Sequence, residues 1–308
     1  MGVPEWNWLI DYASPYHGYK YAVKKHVYSG STDYQRVDVV DTYTFGRCLV
    51  LDGKIQSSEI DEYIYHEILV HPPLAVQSFN SEEPPREVLV MGGGEGAVLR
   101  ELLKYPSIES IIMVDLDKEV VDLCKEYLPA WHENSFENSR VELLHMDARR
   151  YLEDTERKFD AIISDITEPV DDGPSYLLFT KEFYDMLINR LKPGGVLSLQ
   201  AGSISLTLLE AHSAIRNTLR QSFNHVCSYH TFIPSFDSAW GFILATQGNN
   251  PLQIDAESVD AYINRNNLNL RFYDGETHRG MFSLPKDIRN YLNKETNIIK
   301  DESPVFIY

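Results

Sequence analysis

The sequence predicts an α/β fold: a Rossmann-like, doubly wound parallel sheet preceded by a small antiparallel β-domain. Two observations carry the main sheet. Four apolar runs in the middle of the chain each close on an acid. Residues 87–91 run into Gly92-Gly93-Gly94-Glu95-Gly96, 111–114 into Asp115, 141–146 into Asp147, and 159–164 into Asp165. Helical patterns lie between these runs, and strands alternating with helices build a parallel sheet. A third observation carries the β-domain. Runs rich in Tyr, Val and Thr at 17–27, 35–42 and 44–51 are punctuated by turn residues. Ser29-Gly30-Ser31 separates the first two, and Asp52-Gly53 closes the third, a strong hairpin signal.

The remaining elements follow in chain order. Residues 59–70 read as a helix that Pro72-Pro73 ends. The stretch 80–85, with Ser81, two Glu and two Pro, reads as a linker. The doubly wound region then runs from 86 to 248, and Gln247-Gly248-Asn249-Asn250-Pro251 marks its far boundary. Helices are expected near 256–266 and 285–293, packed back onto the main domain. Two domains result: a β-domain with its linking helix over 1–80, and a catalytic-type domain with a helical extension over 81–308.

Composition narrows the function classes. The chain has 308 residues and a formal net charge of −18, from 46 acids against 28 Lys and Arg. Nucleic acid is not expected as a partner, because no basic stripe exists to replace phosphate counterions. An acidic field concentrates cations and speeds their capture. Three scattered cysteines, Cys48, Cys124 and Cys227, lack metal spacing and argue against a disulfide framework, which points to a cytoplasmic protein with reduced, buried thiols. The beginning of the chain carries no signal-peptide pattern, and Trp6 breaks the myristoylation pattern. No apolar run approaches the ~20 residues that span a bilayer, so no membrane partner is expected.

Ligands of open α/β sheets bind at the carboxyl ends of the strands. Glu95, Asp115, Asp147 and Asp165 are therefore expected to line one crevice, a concentration of negative charge that calls for a cationic ligand. The loop 92–97 fits Gly-x-Gly-x-x-Ala after a strand and before a helix. Asp115 follows about twenty residues later, where a carboxylate binds ribose hydroxyls. Loop, spaced acid and context together indicate an adenosine-type nucleoside. A dinucleotide would set its pyrophosphate against Glu95, which is unfavourable. A sulfonium compound has no phosphate, and its decarboxylated form offers an ammonium alone, which suits Glu95 best. A solvated first-turn Glu is the bland alternative. Asp147, followed by Ala148, reads equally as an adenine-binding acid and as a helix cap.

Asp165 closes the fourth strand of this set, with Glu168 three residues on. An amine acceptor, with a pKa near ~10, arrives protonated and must lose a proton before it can attack. Asp165 is placed to take it, with Glu168 sharing the work. His66 and His71 stand five apart, about 140° round a helix at ~3.6 residues per turn, so they form no zinc motif and no metal is expected. Tyr65 and His66 remain candidates for hydrogen bonding at the domain junction. His230 has no partner at ligand spacing and reads as structural.

Together these residues resemble the spermidine synthase family, the polyamine aminopropyltransferases, over roughly 15–295. The carrying segments are Tyr34-Gln35, Leu51-Asp52-Gly53 with Gln56, Asp61 to Glu67, Gly92 to Gly96, Asp115, Asp147-Ala148, Asp165 to Pro169, and Ile233-Pro234-Ser235. The resemblance implies transfer of an aminopropyl group from decarboxylated S-adenosylmethionine to an amine, releasing methylthioadenosine. This donor is a co-substrate, and no cofactor is bound permanently. The resemblance also implies homodimers or homotetramers joined through the N-terminal sheets.

By position, Asp165 looks like the general base. Gln35, Asp115, Asp147 and Ala148 match nucleoside-binding positions, and Pro174 matches a proline near the adenine. His66 and Glu95 match positions that hold amines, and Tyr65 matches one that contacts the acceptor. Glu168, Phe236 and Trp240 complete the acceptor set.

Departures bear on the acceptor. Glu95 and Glu168 stand where the family often carries Asp, and Phe236 replaces a Tyr that contacts putrescine. The segments 66–73 and 230–242 look more like thermospermine synthases. Spermidine is therefore the expected acceptor, giving thermospermine, with putrescine or agmatine as alternatives. A methyltransferase on a similar fold and a non-enzymatic polyamine-binding protein are the remaining rivals.

Overall fold

The computed structural model describes residues 6–169, 173 and 175–306. Five strands open the chain: β1 (Asn7–Ser14), β2 (His17–Ser31), β3 (Arg36–Thr42), β4 (Gly46–Leu51) and β5 (Lys54–Ser58). They pair antiparallel in sequence order to form one meander. The expected three-stranded core of this sheet is present, and β1 and β5 extend it on either side. Ser29-Gly30-Ser31 belongs to β2 rather than to a turn. The reversal falls just after it, where the Thr32 hydroxyl accepts from the backbone N–H groups of Tyr34 and Gln35. A side chain that bonds its own turn fixes the reversal there without glycine.

The helix α1 (Glu62–Asn80) continues through Pro72 and Pro73, which corrects the expected stop. Proline at 72 removes the N–H that would bond the Ile68 carbonyl four residues back. The Tyr229 hydroxyl donates to that carbonyl instead, at 2.9 Å. The helix is buried from Ile64 to Gln77, and this tertiary packing outweighs the local penalty.

The central region supplies β6 (Glu87–Gly92), α2 (Ala97–Leu103), β7 (Ser110–Asp115), α3 (Lys118–Tyr127), α4 (Pro129–His132), β8 (Val141–His145), α5 (Ala148–Asp154), β9 (Phe159–Asp165) and α6 (Lys181–Asn189). It continues with β10 (Leu191–Ser203), α7 (Glu210–Leu219), β11 (His225–Ile233) and β12 (Ser238–Thr246). The seven strands lie in the order β11-β12-β10-β9-β6-β7-β8. The five from β10 to β8 are parallel, and β12 runs antiparallel to both of its neighbours.

Alternate residues of each strand serve two cores. Val88 and Val90 of β6 pack with α1 and α2, while Leu89 and Met91 face α5, α6 and α7. The order reverses between β6 and β9, the switch point at which such sheets bind ligands. The first sheet sits over this end of the second. Val37, Val39, Leu49 and Leu51 pack on Val120, Cys124 and Trp131. All three cysteines are free and buried.

Three helices close the chain: α8 (Ala256–Arg265), α9 (Gly275–Met281) and α10 (Lys286–Lys294). The second was not expected. It has seven residues, too few for periodicity to show, and the Asp274 side chain caps it through Thr277 N–H.

Candidate active site

A cleft of about 1230 Å³ opens over the switch point. Single-ligand pockets typically fill ~300–1,000 Å³, so there is room here for two reactants side by side. Its floor is set by backbone. Gly92 pairs with Asp165 across β6 and β9, and Gly93 N–H donates to the Asp165 carbonyl at 3.1 Å. Gly92 has φ +75°, and a Cβ there would overlap the Asp165 carbonyl oxygen. Glycine thus lets the loop close against the strand that carries Asp165.

One end of the cleft suits a nucleoside. A Cβ on Gly94 would stand 3.2 Å from Asp115 Oδ2, so the loop leaves that carboxylate open to the cleft. Burial pushes the Asp115 carboxyl up to about 7. The Asp117 N–H opposes this at 2.9 Å, and the charges of Asp117, Glu95 and Asp165 reinforce it. Gln35 reaches over from the first sheet and donates to Asp117 Oδ2 at 3.0 Å, beside the Thr32 hydroxyl at 2.6 Å. Asp147 lines the cleft and also caps α5 by accepting from Arg150 N–H at 2.8 Å. Ala148 lines the same end. Pro174 lies outside the described residues.

The centre of the cleft holds two adjacent sets of hydrogen bonds. Tyr65 donates to Asp165 Oδ1 at 2.5 Å. Burial and the Glu95 charge push the Asp165 carboxyl up, His66 and the Tyr65 hydroxyl pull it back, and it rests at about 6. His66 Nδ1 faces the Glu62 carbonyl at 2.7 Å and the Glu62 carboxylate at 3.0 Å, while Nε2 faces Glu95 Oε1 at 3.1 Å. Both nitrogens face acceptors, so both carry protons. Burial opposes that charge, but Glu62 and Glu95 outweigh it and raise the His66 imidazolium to about 10. Arg100 holds Glu62 in turn with two bonds, at 3.0 and 2.9 Å.

Heteroatoms of His66, Glu95 and Asp165 lie within 4.8 Å of one another. A doubly protonated imidazole has no lone pair for a metal. The trio instead offers carboxylate oxygens to an ammonium.

The other end is both acidic and aromatic. Burial raises the Glu168 carboxyl to about 7, with Lys54 opposing and Asp11 adding. The Phe236 ring lies 6.1 Å from Tyr65 and 4.8 Å from Trp240. The Trp240 Nε1–H is buried without a partner among the described residues.

The family model described as the spermine/spermidine synthase domain matches residues 62–256. The model for the spermidine synthase tetramerisation domain matches residues 7–59. The chain belongs to the spermidine synthase family. It is 43% identical to the polyamine aminopropyltransferase of Sulfurisphaera tokodaii over 304 residues, covering 98% of this chain and 99% of that one. It is 41% identical to the enzyme of the same name from Saccharolobus solfataricus over 303 residues, 98% of each. Among solved structures it superposes on a spermidine synthase in complex with the transition state analogue AdoDATO, with TM-score 0.86 and 29% identity over 95% of this chain and 97% of that one. The Thermotoga maritima spermidine synthase gives a TM-score of 0.84 at 28% identity, over 95% and 96%. The protein is thus a member of a transferase family that acts on polyamines.

Within this spermidine synthase fold, several residues in and behind the cleft carry no signal in the sequence. Asp117, two residues past Asp115, carries no motif signal of its own. Glu62 and Arg100 stand behind His66, and their pairing spans two helices that no local spacing links. Asp11 accepts from Ile55 N–H at 2.9 Å, and Asp237, at φ +46°, accepts from the Tyr21 hydroxyl at 2.8 Å. Both line the acidic end of the cleft. Asp11 lies on β1, which the sequence patterns did not reveal. His230, read as structural, lies outside the cleft, and its Nδ1 is buried without a partner among the described residues.

Proposed function

We propose that the protein transfers the aminopropyl group of decarboxylated S-adenosylmethionine to spermidine, giving thermospermine and methylthioadenosine. The observation that carries this reading is the run Tyr65–Asp165–Glu95–His66 beside the glycine loop. It supports reading an activatable base and an ammonium site beside a nucleoside site in one cleft. Asp115, Asp147, Ala148 and Gln35 hold the nucleoside, and Pro174 belongs to the same set by resemblance. Glu95 takes the donor ammonium, with His66 fixing its position. Tyr65, Glu168, Phe236 and Trp240 form the acceptor side.

The acceptor nitrogen lone pair forms the new C–N bond at the carbon attached to the sulfonium. The C–S pair leaves to sulfur, giving a neutral thioether, and the amine proton passes to Asp165. Positioning and charge complementarity supply the acceleration.

Spermidine is favoured by Phe236, which offers no hydroxyl near Tyr65, and by the thermospermine-synthase-like segment 230–242. Putrescine is the second candidate, favoured by superposition on spermidine synthases. The test offers putrescine, agmatine and spermidine separately and resolves products by chromatography, because spermine and thermospermine share a mass. Formation of spermidine from putrescine with no turnover of spermidine removes the first reading. Binding of S-adenosylmethionine in preference to its decarboxylated form would point to methyl transfer.

The enzyme is further expected to form dimers or tetramers through its first sheet. Trp8, Ile10 and Tyr12 project from one face of β1 and are exposed in the single chain. A cytoplasmic location fits the buried, unpaired thiols. No helix among the described residues is long and apolar enough to cross a membrane.

A further inference from the structure

The residues after α10 run back across the catalytic domain. The Asn297 carbonyl accepts from the Asn217 side chain at 2.8 Å. Ile299 is fully buried, donates its N–H to the Thr218 hydroxyl at 2.9 Å, and accepts from Lys181 N–H at 2.8 Å. Asp301 then grips α5. It accepts from the Arg149 guanidinium at 2.9 and 2.5 Å and from the Thr180 hydroxyl at 2.6 Å. The Arg149 bond holds the Asp301 carboxyl below its ordinary value. Arg149 directly follows Asp147 and Ala148, so this bidentate pair fixes the strap to the helix turn at the nucleoside end.

Past the latch, Val305 packs on the core beneath α5 and α6. The Phe306 ring stands 5.7 Å from Tyr176. Both Val305 and Phe306 line the cleft, along with Ala148 and Leu178. Phe306 is 40% exposed, so part of its ring has no protein contact.

We propose that residues 295–306 are a binding element for the donor's nucleoside base, with Val305 and Phe306 as an apolar wall and Arg149–Asp301 as the latch that holds it. This rests on the donor reading above. The wall is apolar and is latched to α5 directly after Asp147 and Ala148, at the nucleoside end. It therefore acts on an aromatic base and not on the polyamine.

The probe is methylthioadenosine, measured by calorimetry on the full chain, on Phe306→Ala and on a chain ending at Pro304. Both variants should bind it about tenfold more weakly, the size of one lost base–aromatic contact. Phe306→Tyr should restore affinity. The acceptor KM and the thermal midpoint of Phe306→Ala should stay at the parent values, which a purely structural tail would not produce. Asp301→Asn should weaken the probe in the same direction. Unchanged affinity in Phe306→Ala overturns the strap, as does a rise in acceptor KM alone. Failure of the full chain itself to bind methylthioadenosine overturns the donor reading instead, and the strap with it.

Discussion

Replacing Tyr65 with Phe isolates one hydrogen bond at the reacting centre. The hydroxyl donates to Asp165 Oδ1 at 2.5 Å. Bonds to a charged partner contribute about 1.5–3 kcal/mol. This one favours the ionised carboxyl, so its removal raises the Asp165 midpoint from about 6. At ~1.36 kcal/mol per pH unit, the rise is about one to two units. The ring itself stays packed, 5.2 Å from Phe242 and 6.1 Å from Phe236, so no cavity opens.

On the proposed mechanism, only ionised Asp165 can accept the amine proton. At pH 7 the competent fraction falls from roughly nine-tenths to between about a half and a tenth. The acceptor amine also titrates across this range, but identically in both proteins. The readout is therefore the ratio of variant to parent kcat/KM at each pH, followed by methylthioadenosine release. That ratio should climb from acid to alkaline pH and level off near pH ~9. A ratio that stays flat with pH refutes the role given to this bond, whatever its absolute value.

Asp165→Asn should retain methylthioadenosine binding while turnover drops by roughly 10²–10⁴-fold, as steady-state rates and calorimetry together would show. Unchanged turnover removes Asp165 from the base role. Gly92→Ala forces a Cβ into the Asp165 carbonyl at φ +75°. Urea unfolding should show a loss of at least about 2 kcal/mol, and an unaltered midpoint would mean that the loop relaxes freely. His66 has its midpoint raised from the ordinary 6.5 to about 10 in the folded chain. Folding therefore favours its proton, so the stabilisation is complete below pH 6.5 and disappears as pH rises through about 10. The thermal midpoint of the parent should fall across that window relative to His66→Gln, and a constant difference between the two would contradict the charged imidazole.

What could be read from the sequence divides along a physical line. The glycine loop, Asp115, Asp147 and Asp165 were legible because strand ends and turn chemistry are local, and the α/β alternation places them on one edge. Tyr65 and His66 were legible as candidates only, since their partners lie on other elements. Glu62 and Arg100 stayed hidden because an ion pair between two helices leaves no spacing signal. The strand β1 hid for a different reason: Trp8, Ile10 and Tyr12 alternate correctly but face solvent in one chain, so alternation pointed to no core. Pro72-Pro73 misled because the compensating bond comes from Tyr229, far along the chain.

The acidity of the cleft differs from that of an acidic surface in one respect. Asp115, Asp165 and Glu168 rest at about 7, 6 and 7, and in each the largest cause is burial. Buried carboxyls resist ionisation unless something pairs with them. Among the described residues, the cations nearby are His66 and Arg100, both engaged with Glu62, and Lys54, whose pull leaves Glu168 still raised. Before its reactants bind, the cleft near neutral pH thus holds acids that are partly protonated and only partly compensated. A sulfonium with an ammonium tail, followed by a polyamine, supplies the missing charge and returns these groups to the ionised state. Binding is then coupled to proton release, so affinity for the cationic reactants rises as pH climbs through about 6 to 7. On the mechanism proposed above, the step that seats the acceptor would also leave Asp165 ready to take its proton, because the arriving charges lower the carboxyl midpoint at the moment a base is required.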